Sequence, residues 1–186
     1  MNLAKIKTEL LKLKNNALIK KETWQEFWDK LHSGQPLTKT ERNSEHMCAF
    51  FLPVHRTTKS VYLIHHIKGA DWMPPGGHIE PHEHPLLTVR REYQEELGQS
   101  LAQESVELIG LTIKSITNHP LNYCTKHYDF WYAVWVDKQH DYSWDRREFH
   151  SAGWFEIASG INKIQKNPDY QEVIKNLQAN HFYNRP

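Results

Sequence analysis

"GGHIEPHEHPLLTVRREYQEELG", Gly76 to Gly98, places five glutamates, two arginines and three histidines in one short run, and the reading of the whole chain turns on it. Pro74 and Pro75 precede Gly76 and Gly77, and two prolines followed by two glycines predict a tight, backbone-exposing loop rather than regular helix or strand. A helix is expected directly afterwards, because Pro85 suits a first turn and Gly98 the position just past a helix end. Between them Leu86, Val89, Tyr93 and Leu97 recur at helical spacing and form one apolar face that can pack on a sheet. Thr88, Arg91, Glu92, Glu95 and Glu96 are left to the other faces.

Glu92, Glu95 and Glu96 then crowd within a turn, and like charges at this spacing each cost roughly 0.2–0.5 kcal/mol. Separate solvation of the carboxylates is one answer, aided by an Arg91 to Glu95 contact at i, i+4. A divalent cation is the other, since clustered carboxylates beside a glycine loop make the hard oxygen environment that Mg²⁺ or Mn²⁺ prefers. Composition leaves both answers open.

The order of residues goes further. Gly77, five residues, Glu83, seven residues, then Arg91-Glu92-Tyr93-Gln94-Glu95-Glu96-Leu97-Gly98 resembles the signature of the Nudix hydrolases. Every glycine and charged position matches; Tyr93 stands at an apolar position, and Gln99 departs from the apolar residue that closes the signature. The resemblance implies an α/β fold, an α/β/α sandwich with a mixed β-sheet, here with an N-terminal helical extension. It also implies hydrolysis of a nucleoside diphosphate linked to another moiety, by water attacking phosphorus with Mg²⁺, or Mn²⁺ as a substitute. Carried over by position, Glu95, Glu96 and the Gly77 carbonyl would ligate metal, and Glu92 would be a ligand or the base. Arg91 would orient Glu83 or Glu92. Glu148, in the polar loop "DRREFHSAG", is the candidate for the further carboxylate that the family often draws from outside the box, while Glu80 reads as a loop acid.

Working outward, aromatic and β-branched runs predict strands at "MCAFFLPV", "SVYLIHHI", "VELIGLTIKSI", "HYDFWYAVWV" and "GWFEI". "NPDYQEVIKNLQAN" predicts a closing helix with Pro168 in its first turn. Upstream, Leu3, Leu10, Ala17, Trp24 and Leu31 recur every seventh position, with Ile6, Leu13 and Phe27 in the companion register. Asn15-Asn16 as a break and Lys20 on the stripe favour two helices docked on the domain over a coiled-coil dimer, though a homodimer through these helices is kept as an alternative. "HSGQPLTKTERNSEH" reads as the linker, giving an extension over residues 1–45 and a hydrolase domain over 46–186.

The composition, 39% hydrophobic with net charge +1, is that of an ordinary globular protein and points neither to long nucleic acid nor to a membrane surface. The expected partner is a small nucleotide-type diphosphate. Cys48 and Cys124 are far apart and read as reduced core thiols rather than a disulfide or a CxxC metal pair. The first residues lack the apolar run of a signal peptide, so a cytoplasmic location is expected. His78, His82 and His84 suggest zinc, but Pro81 and Pro85 break any helix that would align them. His65, His66 and His127 read as structural or surface residues, and Trp72, Tyr128 and Trp131 as core before base-stacking platforms. Two other classes compete with a hydrolase: a nucleotide sensor, against which all box glutamates are present, and an isopentenyl-diphosphate isomerase, which needs an exposed cysteine.

Overall fold

The computed structural model describes residues 3–16, 18–101, 105–116 and 123–183; Ala17 of the N-terminal stripe lies outside them. Among the described residues seven strands form one sheet: β1 Glu45–His55, β2 Ser60–His66, β3 Asp71–Met73, β4 Gly76–His78, β5 Ser105–Ser115, β6 Lys126–Val136 and β7 Phe149–Glu156. The principal order is β3-β2-β1-β6-β5, with β4 added to β1 and β7 to β2. β1 and β6 run parallel along their whole length while every other pairing is antiparallel, so the sheet is mixed.

The period-two alternation of β1 separates two cores. Met47, Ala49 and Phe51 join Tyr128, Phe130 and Tyr132 under α1 (Leu3–Lys12), α2 (Lys21–His32) and α3 (Pro85–Leu97). Cys48, Phe50, Leu52 and Val54 face the other way, with Trp131 and Ala133, toward α4 (Ile157–Lys163) and α5 (Pro168–Gln178). Helices therefore cover both faces, the α/β/α sandwich.

The N-terminal stripe is spent inside the chain. Phe27 is fully buried and meets Tyr128 and Phe130 edge-on, with ring centroids 5.4 and 5.2 Å apart. Trp24 Nε1 donates to the Leu10 carbonyl across the break between α1 and α2 (2.8 Å). An apolar face used this way is not left over for a coiled-coil partner.

Three local expectations are corrected. Gly76–His78 is a strand after all, antiparallel to Cys48–Phe50; a Cβ on Gly76, whose φ is +144°, would lie 2.4 Å from the Ala49 carbonyl oxygen, so only glycine permits this approach. The strand expected at "GWFEI" begins earlier, at Phe149, and Ile157 turns into α4. The "linker" is packed: Leu37 is buried, and Thr38 and Glu41 form a reciprocal capping box around the 3₁₀ turn Lys39–Glu41.

Candidate active site

The site grows from the contact between β4 and α3. His84 caps α3, its Nδ1 accepting from the Leu86 N–H (3.2 Å), and Gly98 ends it in the left-handed region at φ +69°. Val89, Tyr93 and Leu97 are fully buried in the core beneath the helix. Of the residues left to the other faces of α3, Thr88, Glu92 and Glu96 are buried as well, because they lie along the β4 side of the helix. A Cβ on Gly77 would stand 2.1 Å from Glu92 Oε1, so the absent side chain is the space the carboxylate fills. The Gly76 N–H donates to Glu96 Oε2 (2.8 Å).

Arg91 ties these groups together. Its Nε donates to Glu83 Oε1 (2.9 Å), Nη1 to Glu92 Oε1 (2.7 Å) and Glu95 Oε2 (3.1 Å), and Nη2 to the His78 carbonyl (3.0 Å) and Glu83 Oε2 (3.2 Å). The guanidinium thus binds the loop before α3, the helix itself and β4 at once, which a point-charge ammonium cannot do. Thr88 Oγ1 completes the hold on Glu83 (2.7 Å).

The electrostatics follow from burial. Burial pushes Glu92 up to about 6 against the pull of Arg91. Burial and the neighbouring Glu92 charge push Glu96 well above the usual carboxylate range, the Gly76 N–H opposing. Burial also works on Glu83, but hydrogen bonds from Arg91 and Thr88 outweigh it and hold that carboxyl low. Glu95 remains open, its side chain 58% exposed. The helix therefore presents two carboxylates whose charge is unfavourable by itself beside one that reaches solvent.

These groups line a cleft of about 560 Å³, and Glu148 enters it from the loop before β7. Gly76, Gly77, Arg91, Glu92, Glu95 and Glu96 form one wall, with Glu80 at the edge. Glu83 is held just behind that wall by Arg91.

The family model for the NUDIX domain matches residues 44–177. The chain belongs to the NUDIX family. Among curated NUDIX relatives, the bis(5'-nucleosyl)-tetraphosphatase [asymmetrical] of Mus musculus is 29% identical over 123 residues, 64% of this chain and 73% of that protein. Its Sus scrofa counterpart is 30% identical over the same length and shares. Of solved structures, the E. coli dihydroneopterin triphosphate pyrophosphohydrolase aligns with a TM-score of 0.66 at 14% identity, covering 78% of this chain and 99% of its own. A C. elegans Ap4A hydrolase binary complex aligns at 0.60 with 16% identity, covering 72% and 95%. These likenesses establish the NUDIX fold.

Some lining residues of the NUDIX cleft escaped the sequence. Lys39 and Thr40 arrive from the packed "linker", and His66, Lys68, Cys124 and His127 from strand ends and loops. The Thr38-x-x-Glu41 spacing was the one available signal, a capping box that marks an ordered turn. Tyr128 and Trp131 are core, as expected, while Trp72 borders a different hollow near Lys163. His78, His82 and His84 do not meet, for His84 reaches toward Glu9 (3.4 Å) and His82 borders a hollow with Leu3 and Pro81. His127 is neither plain surface nor plain core. It and His78 line the cleft half-buried, and burial holds both imidazoles down at about 3, hence neutral at ordinary pH. Cys48 is buried as expected of a core thiol, and histidines flank it.

Proposed function

We propose that this protein is a pyrophosphohydrolase that cleaves the polyphosphate chain of a nucleotide-type substrate by attack of water on phosphorus. Dinucleoside tetraphosphates are the first candidates, a choice supported by the curated relatives. The observation that carries the reading is the convergence of Glu92, Glu95, Glu96 and Glu148 in one cleft against the glycine strand.

The donor set fits a hard divalent cation. Two of the carboxylates, Glu92 and Glu96, are raised chiefly by burial, and each commits one oxygen internally: Glu92 Oε1 to Arg91, Glu96 Oε2 to Gly76. Among the described residues no hydrogen bond engages the second oxygen of either. Glu92, Glu95, Glu96 and the Gly77 carbonyl would hold Mg²⁺, or Mn²⁺ in its place, and when bound this ion neutralises phosphate charge and acidifies water. Glu92 Oε2, on a carboxyl at about 6, is suited to take the proton of the attacking water. Glu148 adds a further carboxylate to the lining of the cleft. Arg91 and Glu83 are positioning residues, and Lys39 and Lys68 supply positive charge where the rest of a polyphosphate would lie.

Residues 1–45 are read as an extension that covers the sheet and lends Lys39 to the cleft, and 46–186 as the hydrolase domain; the family match starting at residue 44 supports this division. Among the described residues no helix is long and apolar enough to cross a membrane. A cytoplasmic setting suits Cys48 and Cys124, which are not joined in a disulfide. Both are buried, at 2% and 3% exposure, which speaks against the isomerase alternative.

A panel of dinucleoside polyphosphates, nucleoside triphosphates, nucleotide sugars and ADP-ribose, assayed with Mg²⁺, tests the proposal. At least one member is expected to be consumed, with the products separated by chromatography, and Glu96→Gln is expected to abolish that turnover in a folded protein. Full activity in Glu96→Gln would remove the assigned role.

A further inference from the structure

On the face of β4 turned away from α3, three imidazoles and a thiol converge. His46 and Cys48 are two residues apart on β1 and so project from the same face; His127 on β6 is the parallel partner of His46, and His78 on β4 the antiparallel partner of Cys48. One nitrogen or sulfur atom from each lies within 4.8 Å of all the others. The ring centroids of His46, His78 and His127 are 4.8, 4.9 and 5.2 Å apart.

Two of these rings carry a buried nitrogen without a use. His46 Nε2 and His127 Nε2 have no hydrogen-bond partner among the described residues. His46 Nδ1 lies 2.7 Å from the Asn43 carbonyl oxygen; that oxygen only accepts, so Nδ1 bears the proton and Nε2 is left as a bare lone pair. An imidazole anchored through one nitrogen to a backbone carbonyl, with the other nitrogen bare, is how metal-binding histidines are held. Ordinary packing seldom leaves two buried nitrogens unbonded beside a thiol.

We propose that His46, Cys48, His78 and His127 form a second metal site, which takes one borderline-soft divalent transition ion, Zn²⁺ by preference. Three nitrogens and a sulfur are the wrong donors for Mg²⁺ and the right ones for zinc. With Zn–N near 2.0–2.1 Å and Zn–S near 2.3 Å, a tetrahedron has edges of about 3.3–3.6 Å, so ligand movements on the order of 1 Å close the site. On ligation the Cys48 thiol releases its proton to solvent and its sulfur donates an electron pair to the ion; nothing is oxidised or reduced. With all four positions filled by protein, the ion is structural. It pins β1, β4 and β6 together at His78, whose neighbour is Gly77 and whose carbonyl receives Arg91. The soft site thereby steadies, from beside the same cleft, the strand on which the oxygen-rich site is built.

The test is independent of turnover. The full chain, stripped with chelator and kept reduced, is titrated with Co²⁺ as the probe. One equivalent is expected to produce a near-ultraviolet thiolate-to-cobalt absorption and strong four-coordinate visible bands. Zn²⁺ displaces them and excess Mg²⁺ does not. The signal is expected to survive Glu95→Gln with Glu96→Gln, to vanish in Cys48→Ser, and to need at least about tenfold more Co²⁺ in His127→Ala. X-ray absorption of the zinc-loaded wild-type chain, expected to show one sulfur and three nitrogens, decides the matter should Cys48→Ser fail to fold. No thiolate band in the wild type, a zinc shell without sulfur, or an unchanged cobalt signal in folded Cys48→Ser overturns the proposal.

Discussion

Arg91 shows how much one side chain arranges here. Its fork engages Glu83, Glu92, Glu95 and the His78 carbonyl, so replacement by lysine keeps the charge but loses the simultaneous hold. Arg91→Lys is expected to lower kcat/KM by about 10–100-fold with the fold retained, measured on whichever substrate the panel identifies. Glu96 makes the complementary case. Its folded pKa is raised above the unfolded value, so its contribution to stability is present in acid and is lost as pH rises through the folded pKa. Glutamine keeps an oxygen for the Gly76 N–H and removes the charge. In chelator at pH 8, Glu96→Gln is therefore expected to melt higher than the wild type by calorimetry; a lower melting temperature would contradict the assigned burial penalty. The candidate residues of the box were legible because their spacing along one helix is itself the geometry. That Glu92 and Glu96 are buried was not legible, since burial depends on β4 lying across the helix.

At the scale of elements, the five longer strands and α3 were readable from local pattern: apolar alternation, Pro85 at one end and Gly98 at the other. β3 and β4, three residues each, were not, because strands that short are defined by the partner they pair with rather than by their own residues. The N-terminal stripe was visible as a periodicity, but only its contact with β6 shows what it covers. Phe27→Ala, which empties the contact with Tyr128 and Phe130, is expected to cost about 3–5 kcal/mol in urea unfolding. A cost below about 1 kcal/mol would mean that α2 is loosely attached.

Across the molecule as a whole, the sheet also buries charge in its interior. Asp129 is fully buried, and burial raises it from 3.8 to about 7 despite hydrogen bonds from Thr112 Oγ1 (3.1 Å) and Tyr170 Oη (3.4 Å). A raised folded pKa binds its proton more tightly than the unfolded chain does, so the associated stability is complete below about pH 4 and drains away as pH climbs to about 7. Unfolding free energies of Asp129→Asn and the wild type are expected to converge near pH 4, and the variant to lead by pH 8, by an amount on the order of a few kcal/mol. Parallel curves over that range would overturn this.

By itself the sequence determined the family signature, the helix that carries it and the alternating strands, because each depends on residues that are near neighbours along the chain. Only the tertiary structure decided that Glu148, Lys39 and Lys68 share a cleft with that helix, and that His46, Cys48, His78 and His127 converge. These groupings arise where strands distant in sequence are brought into register. Hydrogen bonding between backbones sets such a register, and no spacing within one segment encodes it.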